Sequence, residues 1–212
     1  MQSVLPNGAD IIFTSSDGFT ILQHEIESFT NNATTGTLVA WVRLPTLSNT
    51  SDTILYMYYN VSIAATIIHD NVWDSDYEII YHMNQSTFTA NSTLDSSGND
   101  RHATPLSTGT ADFNSSDLVS AQIGNGLDFD GENSDADGVY LDLPDLASNL
   151  FYNTDFTFSV WINIDVVRFL GRIVDFADGD GRNNIQIGTN PYFDKLIYVM
   201  VRNETSGGVS AE

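Results

Sequence analysis

The chain has 212 residues, enough for one large β domain or two smaller ones, and its 42% of hydrophobic residues can fill a core, which argues against a disordered chain. Twenty-eight acidic residues against seven basic ones leave a net charge of −21, which repels phosphate backbones and anionic lipid and excludes nucleic acid as a partner. With no cysteine there are no disulfides, thiolate metal sites or thiol catalysis.

Short period-two runs separated by turn residues dominate the chain. Strands are expected at Ile11–Thr14, Phe19–Ile26, Thr37–Leu44, Thr53–Tyr59, Glu78–Met83, Gly126–Asp130, Val139–Leu143, Asp155–Asp165, Arg172–Phe176, Asn184–Gly188 and Leu196–Arg202. Turns are marked by Ser16-Asp17-Gly18, Ser97-Gly98-Asn99-Asp100, Asp130-Gly131, Asp137-Gly138 and Asp178-Gly179-Asp180-Gly181. The clearest alternation is Asp155–Asp165, which sets Phe156, Phe158, Val160, Ile162 and Ile164 on a core face and Trp161 alone among polar residues on the other. Asp145–Leu150, after Pro144, is the one short helical candidate. Many strands without βαβ alternation predict an all-β antiparallel sandwich.

The longest largely aliphatic stretch, Ile63–Ile68, is far too short to span a membrane, so no membrane insertion is expected. Gln2–Asp10 lacks the basic start and apolar middle of a secretory leader, so the leader of an exported protein would lie outside this chain. Acceptor sequons at Asn32, Asn49, Asn60, Asn84, Asn91, Asn114 and Asn203 fit an exported surface, and fit equally a chain simply rich in Asn, Ser and Thr.

Gly8-Ala9-Asp10-Ile11-Ile12-Phe13, Asp17-Gly18, Glu25-Ile26-Glu27, Ala40-Trp41-Val42-Arg43-Leu44-Pro45 and Ile54-Leu55-Tyr56-Met57-Tyr58-Tyr59 together resemble a family of unknown function whose members precede lectin-like domains in prokaryotic surface proteins. Asn60 departs from that pattern, which usually has glycine there. Val72-Trp73-Asp74, Tyr81-His82-Met83, Asp95-Ser96-Ser97-Gly98-Asn99, Gly126-Leu127-Asp128-Phe129-Asp130-Gly131 and Phe156 to Ile162 resemble the laminin-G-like, concanavalin A-like jelly rolls. The resemblance implies a partial N-terminal β domain over 1–70 and a jelly roll over 71–212, with the boundary between Asn60 and Val72. It also implies that both domains extend beyond this chain, the jelly roll continuing past Glu212.

The expected function is a non-catalytic carbohydrate-binding or adhesion module of a secreted or cell-surface protein, with a glycan or surface polysaccharide and neighbouring domains of a longer chain as partners. The alternatives are an accessory region of a glycan-active enzyme and a structural spacer. No Glu-x-Asp-x-x-Glu strand occurs, and the four histidines form no catalytic motif. Glu25 and Glu27 share a strand face and are expected to be solvated edge charge, whereas Trp41 and Trp73 are expected in the core and His82 in the core or at its boundary. Sugar binding needs an aromatic platform, for which Trp161, Tyr192 and Phe193 are the candidates, although a two-layer sandwich favours burial of Trp161. Calcium suits clustered carboxylate and amide oxygens on Gly-containing loops, here Asp95–Asp100, Asp128–Asp137 and Asp175–Asn184. Asp95 and Asn99, then Asp178 and Asp180, are the ligands expected, with plain turn formation as the competing use of the same residues.

Overall fold

The computed structural model describes residues 4–32, 35–61, 72–129, 138–144, 155–168, 171–177, 185–189, 197–203 and 206–209. Among the described residues thirteen strands are formed: β1 (Ile12–Thr14), β2 (Ile21–Leu22), β3 (His24–Asn31), β4 (Gly36–Val42), β5 (Tyr56–Tyr58), β6 (Thr104–Thr108), β7 (Leu118–Ser120), β8 (Asn125–Leu127), β9 (Gly138–Asp142), β10 (Gly171–Phe176), β11 (Ile185–Thr189), β12 (Tyr198–Asn203) and β13 (Ser206–Val209). Every pairing among these strands is antiparallel, in sheets ordered β2-β1-β5, β3-β4, β6-β9, β7-β8 and β10-β11-β12-β13. The protein is all-β, as the alternation predicts. A single 3₁₀ turn, Ser115–Asp117, is the only helical element among the described residues, and no described helix is long and apolar enough to cross a membrane.

The chain divides into two compact units, 1–156 and 157–212. In the first, Ile11, Phe13 and Leu22 form a buried cluster against which Val4, Ile26, Phe29, Leu38, Ala40, Val42 and Leu44 pack. The β3–β4 ribbon supplies five of these from one face. Its pairing slips by one residue between Ile26 and Ser28, so Glu27 is the extra residue of a bulge. The slip explains why Ile26 and Phe29, three apart, both reach the same core. Its opposite face carries Glu25, Glu27 and Trp41. A second apolar group stacks Phe88 on buried Phe113 at 5.2 Å, with Phe129 edge-on to Phe113 at 5.5 Å. In the second unit, β10 to β12 align Val174, Ile187 and Val199 in one cross-strand row and Phe176, Ile185 and Val201 in the next.

Two expected strands are absent. Glu78–Met83 forms only a bridge, Tyr81 to Asp95. Asp155–Asp165 forms no strand, and Phe156, Phe158, Val160 and Ile162 are 39–48% exposed, which corrects their assignment to the interior. Alternation names the two faces of a strand but not its partner, and without a paired ladder neither face is covered. The expected helix at 145–150 lies outside the described residues.

This core gives a contrast to measure. Phe13→Ala should cost about 3–5 kcal/mol in urea unfolding through lost burial and a cavity. Phe158→Ala should cost less than half of that, and Phe19→Ala, at 87% exposure, close to nothing. An equal loss at Phe13 and Phe158 would place the latter in a core.

Candidate functional site: a carboxylate and aromatic cluster on the β3–β4 ribbon

The face of the ribbon turned away from the core is covered by residues 72–99. Glu25 lies directly across from Trp41 in the β3–β4 register. Trp41 donates its indole N–H to Glu27 Oε2 at 2.8 Å, and Trp73 donates its own to Glu25 Oε2 at 2.8 Å. Ser96 donates its hydroxyl to Glu25 Oε1 at 2.7 Å. His82 lies between the two carboxylates, with Nε2 3.3 Å from Glu25 Oε1 and Nδ1 3.4 Å from Glu27 Oε2. These are ion-pair separations, and Nε2 makes no aligned hydrogen bond. The imidazole is stacked on Trp41, centroids 5.4 Å apart, and Trp73 lies 6.2 Å away on a tilt. The side chains of Glu27, His82 and Glu25 are 2%, 9% and 23% exposed, so the expectation of solvated edge charge at Glu25 and Glu27 is corrected. The donors that neutralise them come from residues far along the chain, which is why the local alternation does not reveal their burial.

Burial by itself pushes the Glu25 carboxyl up, but the close His82 ring and the hydrogen bonds from Ser96 and Trp73 outweigh it and hold the group below the usual carboxylate range. Gly124 closes the far side of Glu27. Its φ is +56°, and a side chain there would collide with Glu27 Oε1. At the outer rim Tyr77 meets Trp73 edge-on at 5.1 Å, and Arg43 pairs with Asp74 at 3.2 Å, both ions about two-fifths exposed. The rim thus joins half-buried Trp73, exposed Tyr77, the Arg43–Asp74 pair and the edge of Glu25. A separate open groove of about 510 Å³, lined by Leu22, Leu44, Pro45 and Ile54 among others, has no aromatic wall and shares no residue with this cluster.

Residues 7–93 match the family described as Domain of unknown function (DUF2341). The matched segment holds Glu25, Glu27, Trp41, Trp73, Tyr77 and His82, so all of the cluster except Ser96 and Gly124 belongs to the region of likeness. No curated protein and no solved structure gives a match.

The residues expected at a site are distributed as follows. Asp95 is buried, and its two oxygens accept from the backbone N–H groups of Ile80, Ser97 and Arg101 and from the Ser97 hydroxyl, at 2.8–3.1 Å. Burial raises its carboxyl, while these bonds, from Ile80 and Ser97 first, outweigh that and hold it low. Asn99 lies in the same loop and donates its amide to the Tyr77 and Glu78 carbonyls. Both side chains therefore fix the 77–101 loop. Among the described residues no three His, Cys, Asp or Glu side chains are grouped to hold a metal. Asp178, Asp180, Tyr192 and Phe193 lie outside the described residues. Trp161 is 72% exposed, against the favoured expectation of burial, because the segment carrying it has no paired ladder.

Two substitutions test the geometry. Asp95→Asn should destabilise by about 2–3 kcal/mol, since hydrogen bonds to an ionised acceptor are lost. The Asp95 contribution is complete above the unfolded-chain value of about 3.9 and is lost as pH falls through the lower folded-state value. Urea unfolding at about pH 7 and about pH 3 should therefore show the parent losing more stability on acidification than Asp95→Asn. Gly124→Ala should cost about 1–2 kcal/mol from backbone strain alone, and more from the clash with Glu27.

Proposed function

We propose that this chain is a non-catalytic glycan-binding module of a secreted or surface protein, with the sugar seated against Trp73 and Tyr77. The observation that carries the proposal is the rim itself. It sets an indole locked by Glu25 at 2.8 Å beside an exposed phenol ring and next to the planar ions Arg43 and Asp74. Sugars are recognised by such pairings, an apolar ring face against the aromatic and hydroxyls against fixed planar donors and acceptors. A ring that is already immobile loses little freedom when ligand arrives. The charge of −21 favours uncharged polysaccharide over polyanionic glycans.

A role in hydrolysis is less well supported. Glycoside cleavage requires one of two carboxyl groups to keep its proton near neutrality, and Glu25 is held in the opposite state. The oxygens of both glutamates already accept from or face Trp41, Trp73, Ser96 and His82.

Retention of the chain on insoluble cellulose, chitin and xylan tests the reading. Tyr77→Ala and Arg43→Ala should each reduce retention about tenfold, equivalent to about 1.4 kcal/mol, with the melting temperature little changed. Trp161→Ala serves as the comparison, and loss confined to that variant would move the site to Trp161. No retention on any polysaccharide would favour a structural spacer.

A further inference from the structure

The Glu25–His82–Glu27 contact does more than bury charge. Each imidazole nitrogen faces a carboxylate oxygen, and only the doubly protonated ring offers a proton to both. The carboxyl groups facing the ring are those of Glu25 and Glu27, both from β3. The other neighbours are Trp41 of β4 and Trp73 of the covering segment, neither of which titrates near neutrality. The residue after His82 adds a second observation. Met83 stands at φ +53°, in the left-handed region that an ordinary side chain enters only under constraint. On either side of it lie the His82 contacts with the two carboxylates and the bond from Asn84 Nδ2 to the Glu27 carbonyl, 3.4 Å. The turn at 82–84 therefore joins a strained backbone to a ring lying between two carboxylates.

We infer that His82 is a proton-operated latch on the aromatic rim. While its imidazole is doubly protonated it clamps residues 72–84 to the ribbon and keeps Trp73 and Tyr77 in place. When the proton leaves, one nitrogen turns its lone pair to a carboxylate, the two glutamates face each other with less between them, and Met83 relaxes. The clamp then opens, and with it the rim. The consequence for sugar capture rests on the reading proposed above, but the latch itself does not.

The two are separated by measuring each alone. In the full chain carrying Trp161→Phe, which leaves Trp41 and Trp73 as the only indoles, tryptophan emission is followed from about pH 5 to about pH 9, the span of imidazole titration. The expected result is a shift to longer wavelength as pH rises. Over the same step, retention on cellulose, chitin or xylan should fall about fivefold or more, the lower end of ordinary site coupling. In His82→Gln the emission should be nearly independent of pH across that span. Glu27→Gln, which removes one of the two facing charges, should diminish the step and serves where His82→Gln folds poorly. The same emission profile in parent and both variants overturns the latch. A step that depends on His82, with no retention on any polysaccharide at any pH, supports the latch and overturns the glycan reading.

Discussion

Two carboxylates on one face of a two-stranded ribbon require the rest of the first unit to come to them. Glu25 and Glu27 are taken out of water only because Trp41, Trp73 and Ser96 bring donors to them and the His82 ring lies between them. An unpaired buried carboxylate is costly enough that the folded state would not tolerate it. The ribbon is therefore committed on both sides, its apolar face to Ile11, Phe13 and Leu22 and its acidic face to the covering segment. The bulge at Glu27 makes this double use possible, because it lets Ile26 and Phe29 share the core while the intervening glutamate faces outward.

The polar stretch after the ribbon is ordered by the same kind of satisfaction rather than by apolar burial. The Asp95 carboxylate gathers three backbone N–H groups and a hydroxyl, and Arg101 pairs with Glu78 across the loop. Asn114 and Asp117 cap each other around the 3₁₀ turn. In a chain of this charge, carboxylates that accept from fixed donors add structure, whereas unaccompanied ones add repulsion.

Much of the fold is legible in the sequence. Strands β1, β4, β10 and β11 follow from period-two runs bounded by turn residues. Strand β6 is not legible because Pro105 sits inside it, although it pairs with β9 throughout, and β13 reads Ser-Gly-Gly-Val. The candidate site is legible only in part. Trp41, Trp73 and His82 read as interior residues and do lie in a shared, largely covered cluster. Glu25 and Glu27 read as solvent-facing because alternation tells which side of a strand a residue takes, and nothing local tells what later lies on that side. The bulge that separates Ile26 from Phe29 leaves only an off-phase apolar residue as its trace, easily taken for a strand end.

The distances along the chain between the cluster's partners also set an order of assembly. The ribbon closes through near neighbours, the shortest pair being Asn31 with Gly36. Its covering contacts span 48 residues for Trp73, 57 for Asn84 and 71 for Ser96. Closing such loops costs entropy before any contact repays it, so the local hairpin precedes its cover. During synthesis the two glutamates emerge and pair into a ribbon well before the residues that shield them leave the ribosome. In that interval the acidic face is hydrated, and its charge discourages the bare ribbon from joining another chain edge to edge until Trp73 and His82 arrive to close it.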